Sequence, residues 1–105
     1  MEFKFGNKTY KLKYGVKALM ELEDYFKAPI SKIAEKFSSG NEFSIKDIFM
    51  LFKAGLLKNK PSPQDEEIEE MIDELGFKKV SELVAKAFSE SFNPDENVQK
   101  QMKNF

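Results

Sequence analysis

Polar and apolar residues alternate over Glu2-Phe3-Lys4-Phe5 and again over Thr9-Tyr10-Lys11-Leu12-Lys13. A period of two marks a strand with one face buried. Between the two runs, Gly6-Asn7-Lys8 forms a three-residue turn containing two residues that tolerate positive φ. The segment predicts a β-hairpin, with Phe3, Phe5, Tyr10 and Leu12 on one face and the lysines on the other. A lone hairpin is marginal in water, so its apolar face must pack on something else.

After Tyr14-Gly15 the period becomes helical. Val16, Leu19, Met20, Glu23 and Phe26 recur at helical spacing, with Leu22 and Tyr25 widening the apolar side and Glu21, Glu23 and Asp24 solvated. Pro29 either ends this helix or opens the next at its first turn. Ile30, Ile33, Ala34 and Phe37 make a short amphipathic helix, and Ser38-Ser39-Gly40-Asn41 reads as a loop. Ser44 with Asp47 resembles a capping box. Behind it, Ile45, Ile48, Phe49, Phe52 and Leu56 form a clean stripe. Met50, Leu51 and Leu57 add a second apolar side, so this helix is expected at the centre, buried on more than one face. Lys58-Asn59-Lys60-Pro61 closes it.

Ser62-Pro63-Gln64-Asp65 predicts another helix start, with Ser62 as N-cap, Pro63 in the first helical position and acids in the first turn. Ile68, Met71, Ile72 and Leu75 supply its stripe and Gly76 its end. Val80, Leu83, Val84, Ala87, Phe88 and Phe92 form the last long stripe, which stops before Pro94. Val98, Met102 and Phe105 are spaced for one weak amphipathic helix beyond it. The fold expected is α+β and mainly α: an N-terminal β-hairpin followed by four or five amphipathic helices in one small domain. That domain covers residues 1–93, and residues 94–105 form a flexible or weakly helical tail.

Composition narrows the chemistry. The chain of 105 residues is 41% hydrophobic and 33% charged, with a formal net charge of −1. All 17 basic residues are Lys, and Arg, His, Cys and Trp are absent. No disulfide, thiolate nucleophile, zinc finger or iron–sulfur cluster can form without Cys. No imidazole base or His metal site can form without His. Without Arg there is no bidentate phosphate clamp or Arg–guanine contact. The longest apolar run, Ile48 to Phe52, is far shorter than a membrane span. No apolar signal segment follows Met1-Glu2-Phe3-Lys4-Phe5. These features lead to the expectation of a soluble cytoplasmic protein that is not an enzyme, holds no cofactor or metal, and has no membrane partner.

Three clusters invite a functional reading, each beside a plainer one. The acids from Asp65 to Glu74 interleave with an apolar stripe, unlike the loop spacing of a calcium site, and fit a solvated helix face with favourable first-turn charge. Lys4, Lys8, Lys11 and Lys13 beside Phe and Tyr have the composition of a single-strand stacking surface. Lysines also protect short exposed strands from edge pairing. Glu21 with Asp24, and Glu66 with Glu70, have helical spacing but nothing that places them in a cleft.

The weightiest feature is the apolar surplus: 11 Phe and 5 Met in so short a chain. Exposed Phe and Met form adaptable surfaces for partner helices or further copies of the same protein. Met50, Leu51 and Leu57 on the far side of the central helix, Phe88 and Phe92 on the last helix, and Met102 and Phe105 in the tail are the candidate partner-binding residues. A simply bulky core is the alternative for each.

The opening run from Phe3 through Tyr14-Gly15, passing straight into Val16-Lys17-Ala18-Leu19-Met20-Glu21-Leu22-Glu23, resembles the start of the tail assembly chaperones of long-tailed bacteriophages and prophages. The helix at Ala54-Gly55-Leu56, the Lys/Pro-rich loop, the acidic helix at Asp65–Glu74 and the closing Glu82-Leu83-Val84 helix are similar as well, over about residues 3 to 92. The family has no invariant site, so no functional residue is carried over. The resemblance implies a non-enzymatic protein of the bacterial cytoplasm that coats the tape-measure protein until tail-tube subunits displace it. It also implies that a frameshift-extended form can exist. Many weak contacts suit a partner that must later be released. The alternative is a small nucleic-acid-binding or regulatory domain using the Lys-rich hairpin.

Overall fold

The computed structural model describes residues 1–39 and 43–92. Strands β1 (Glu2–Phe5) and β2 (Lys8–Lys11) form the hairpin, followed by α1 (Val16–Phe26), α2 (Ile30–Ser38), α3 (Ile45–Gly55), α4 (Asp65–Leu75) and α5 (Phe77–Phe92). The expected hairpin-plus-helices architecture is the observed one, with five helices among the described residues.

The strands pair antiparallel with Phe5 opposite Lys8, so the turn has two residues rather than three. Gly6 takes φ 62° while Asn7 keeps negative φ, the sign pattern of a type II′ turn and a natural use of glycine. Phe3 faces Tyr10 across the ladder, their rings stacked with centroids 5.7 Å apart. Phe3 also reaches Phe52 of α3, at 5.6 Å between ring centroids. Glu2, Lys4, Thr9 and Lys11 occupy the outer face. Lys8 departs from the expected pattern: opposite Phe5, it shares the side of the apolar residues at the hairpin's free end.

The hairpin leaves the sheet along α3. The Lys13 N–H donates to the Gly55 carbonyl at 2.9 Å, and the Tyr14 hydroxyl donates to the Leu51 carbonyl at 2.6 Å. This close approach explains Gly55. A Cβ there would lie 2.6 Å from Leu12 Cδ1 and 3.0 Å from Tyr14 Cζ. A second clamp comes from Asn59, whose Oδ1 accepts the Lys11 N–H at 2.9 Å while its Nδ2 donates to the Lys11 carbonyl at 2.8 Å. The side-chain amide completes the outer edge of β2 as a strand residue would.

The capping box forms as expected. Ser44 Oγ accepts from the Asp47 N–H at 3.0 Å, and Asp47 Oδ2 accepts from the Ser44 N–H at 3.1 Å. Between α1 and α2 the chain turns through Lys27 at φ 56°. Glu23, expected to be merely solvated, accepts the Ile30 N–H on its carboxylate at 2.8 Å and so caps α2, whose Pro29 has no side-chain oxygen.

Two boundaries differ from expectation. Helix α4 begins at Asp65 after Gln64, leaving Ser62 and Pro63 outside it. Its three first-turn acids do the stabilising work at that end, and Lys53 pairs with Asp65 at 2.8 Å. Helix α5 starts at Phe77, directly after Gly76. The expected helix around Val98, Met102 and Phe105 lies outside the described residues.

The core centres on α3, which packs against α1, α4 and α5. Leu12, Leu22, Leu51, Phe52, Leu56, Ile68, Met71, Val80 and Val84 are its largest fully enclosed side chains. The phase of α1 differs from the expected one. Ala18 and Leu22 are buried, whereas Val16 and Met20 face solvent at 74% and 61% exposure. Apolar residues occupy two arcs of this helix, and the arc containing small Ala18 is the one that packs inward.

Candidate interaction surface

Much of the aromatic surplus among the described residues packs internally. Rings run in contact from Tyr25 to Phe26 to Phe43 to Phe37 to Phe88 to Tyr14, with centroid separations between 4.7 and 6.0 Å. This chain links α1, α2, the start of α3 and α5, and edge-on and tilted pairs add favourable quadrupole contacts to their burial. Lys36 places its ammonium 4.6 Å from the Phe43 ring centre, a cation–π contact at the margin of the same cluster.

That arrangement corrects the expected partner-binding set. Leu51 is fully buried and its carbonyl receives Tyr14. Phe88 is buried between Tyr14 and Phe37. Neither offers a surface to a partner in this fold, because α3 is enclosed on several sides and α5 turns Phe88 inward. Met50 and Leu57 are half-buried. Leu57 packs on the core and borders a cavity of about 170 Å³ together with Lys13, Gly15, Lys17, Ala18 and Lys58. Phe92 ends α5, but its side chain lies outside the described residues, as do Met102 and Phe105.

Among the described residues, the large apolar side chains that reach solvent are Val16, Met20, Ile45 and Phe77. Reading periodicity missed them, since Val16, Met20 and Ile45 were assigned to buried stripes. Only Phe77 carried a signal, standing alone between Gly76 and Lys78-Lys79. Val16 and Met20, four residues apart, share one exposed face of α1, and Ile45 stands apart from Val16. Val16 opens α1, whereas Ile45 lies beside the far end of that helix, where the Tyr25 hydroxyl donates to Asp47 Oδ1 at 3.0 Å.

The titratable groups with displaced pKa values explain structure. Burial pushes the Tyr14 hydroxyl far above the usual tyrosine range. Partial desolvation, then the Asp47 contact, raises Tyr25. Burial alone would raise Asp47, but the Ser44 N–H, the Tyr25 and Ser44 hydroxyls and Lys36 together hold it below the ordinary carboxylate range. Glu21, Asp24, Glu66 and Glu70 are all exposed. Among the described residues no three Asp or Glu side chains converge on a point where a metal ion could sit. None of the described helices is long and apolar enough to cross a membrane.

Apart from Lys8 at its free end, the hairpin separates its lysines from its rings. Lys4 and Lys11 lie on the outer face, while Phe3 and Tyr10 turn towards α3. A cleft of about 380 Å³ lies beyond the β2 edge, lined by Lys8, Thr9, Asn59, Lys60, Pro63 and Glu67 among others.

Fold and surface define a small hairpin-plus-helices domain that exposes a few apolar side chains, lysine-rimmed hollows and an acidic helix. Residues 1–94 match the model of the family described as phage tail tube protein, GTA-gp10, and the chain belongs to that family. Its role therefore lies in phage tail structure or assembly. No curated protein and no solved structure matches the chain.

Proposed function

We propose that this protein is a tail assembly chaperone, which binds the tape-measure protein in the cytoplasm of the bacterial host and keeps it soluble until the tail tube forms around it. The observation that carries the reading is the scatter of exposed Val16, Met20, Ile45 and Phe77 over a phage-tail domain. A few small exposed apolar anchors suit many weak contacts along an extended helical partner, with affinity supplied by the number of copies bound. The opening of the chain adds support through its resemblance to such chaperones. A non-enzymatic mechanism is sufficient: the chaperone covers apolar helix faces and leaves when a competing subunit arrives.

The family's description favours a second reading, a subunit of the tail tube. Nucleic acid is the weaker partner, because Lys4 and Lys11 lie on the face of the hairpin opposite its rings, and only Lys8, at the free end, shares their side.

Co-expression with the long coiled-coil-rich protein of the same tail decides between the first two. The chaperone reading expects that protein to be insoluble alone and to co-purify with several copies of this chain. Replacing Val16 and Met20 with Ser should reduce the recovery without altering thermal unfolding. If the purified chain instead polymerises alone and leaves the long protein insoluble, the tube reading replaces the first.

A further inference from the structure

The two edges of the hairpin are finished differently. In a two-residue hairpin the closing pair, Phe5 and Lys8, exchanges backbone hydrogen bonds, and bonded and non-bonded pairs then alternate. Phe3 and Tyr10 form the next bonded pair, and the Leu12 N–H donates to the Met1 carbonyl at 2.8 Å one step further on. Thr9 and Lys11 of β2, like Glu2 and Lys4 of β1, therefore turn their backbone groups outward. On β2, Asn59 takes both groups of Lys11, and the Gly55 carbonyl takes the next outward N–H, that of Lys13, which leaves only Thr9 open on this edge among the described residues. On β1 the outward backbone groups of Glu2 and Lys4 have no partner among the described residues; β2 is the described strand paired with β1, and α5 meets only its start, where the Met1 ammonium lies 3.7 Å from Glu90. An unpaired edge is a template for another strand.

Charge selects the strand that fits. Both residues with outward backbone groups carry side chains of opposite sign on one face. Suppose β1 pairs antiparallel with β1 of a second copy. A two-fold axis at Glu2 sets Glu2 against Glu2, and an axis at Lys4 sets Lys4 against Lys4. An axis at Phe3 sets each Glu2 against the other copy's Lys4, twice. It also joins their backbone groups in bonded pairs and brings the two Phe3 side chains together on the apolar face. Only that register satisfies backbone, charge and apolar face together.

We propose that the open edge of β1 pairs with β1 of a second copy in this register, making a four-stranded sheet ordered β2-β1-β1-β2 across a two-fold axis. The contact is short, so the dimer is weak and concentration-dependent. An isologous contact closes on itself and cannot build a tube by repetition. The proposal therefore stands independently of what the chain binds in the tail.

The test uses the full chain, with any purification tag at its C-terminus, in sedimentation velocity over a concentration series at low salt. Wild type should pass from monomer to dimer. Glu2→Lys and Lys4→Glu each create two like-charge contacts and should weaken the dimer about tenfold or more. An equimolar mixture of the two variants should dimerise again, because every cross-strand contact in the mixed pair joins opposite charges. Lys4→Pro removes an outward N–H without touching the ladder to β2, and should abolish the dimer while leaving circular dichroism unchanged. A chain monomeric at every concentration, or a dimer indifferent to these variants, overturns the proposal. Loss of tape-measure binding with the dimer intact would count against the chaperone reading alone.

Discussion

Helices α3 and α4 have the same length, 11 residues each, and follow one another in the chain, yet they are held in opposite ways. Helix α3 buries Ile48, Leu51, Phe52, Ala54 and Gly55 and touches three other helices. Helix α4 buries Ile68 and Met71 and turns a face of acids to solvent. The first exists because the core surrounds it. The second has one inward stripe, and its charge pattern supports the end where the dipole needs it. The lesson concerns where substitutions will be felt: in α3 volume and close approach decide, in α4 only the stripe and the first turn.

The largest effect should come from removing volume at the centre. Phe52 is fully buried and contacts Phe3 of the hairpin. Phe52→Ala should cost about 3–5 kcal/mol, enough to unfold a marginal domain. On α4, Glu70→Ala should stay within about 0.5 kcal/mol of wild type. Urea denaturation of both variants measures the contrast, and comparable losses would erase it.

Close approach comes next. Gly55→Ala improves helix propensity but drives a methyl into Leu12 and Tyr14, whose side chains are themselves enclosed. The expected outcome is a net destabilisation of about 1–3 kcal/mol. A stabilised variant would mean that the hairpin can slide on α3.

These two sites also mark what was legible in the chain. Apart from exposed Ile45, the stripe of α3, its burial on more than one side and the Ser44–Asp47 cap were readable, because all depend on residues within one helix. The roles of Gly55 and Asn59 were not, since each depends on a strand more than 40 positions away. The phase of α1 was misread for a related reason. Val16-Leu19-Met20 and Ala18-Leu22-Tyr25 both have helical spacing, and only the partner helix chooses between them. Leu51 and Phe88 are not surface residues because α3 is enclosed by its neighbouring helices and Phe88 sits between the rings of Tyr14 and Phe37, all far apart in sequence. Ser62-Pro63 suggested a start two residues too early, because first-turn acids stabilise α4 without a side-chain cap. The exposed apolar positions were therefore visible only once the packing was known.

The cap at the start of α3 sharpens the comparison through pH. The Asp47 carboxyl has a folded pKa below its unfolded value of 3.8, so the unfolded chain binds the extra proton as pH falls. Its contribution is complete above that unfolded value and is lost as pH drops through the lower, folded one. Asp47→Asn should cost about 1 kcal/mol at neutral pH and flatten the acid limb of stability. Thermal unfolding from pH 7 to pH 2 would reveal a difference between wild type and variant that shrinks towards the acid end. A constant difference would mean that Asp47 acts through packing rather than charge.

The smallest effect tests the charged end of α4. Asp65 stands in the first turn and meets Lys53 of α3 at 2.8 Å, with both side chains substantially exposed. Exposure and salt screening limit such a pair, and the dipole term is of similar size. Asp65→Asn should therefore cost roughly 0.3–1 kcal/mol at low ionic strength. In about 1 M salt most of that difference should vanish, because the screening length shrinks to about 3 Å. The Phe52→Ala deficit arises from lost contact and cavity volume, so salt should leave it in place. If the Asp65→Asn deficit also survived high salt, α4 would be anchored at its first turn by geometry rather than by charge, and the distinction between the two helices would be one of degree.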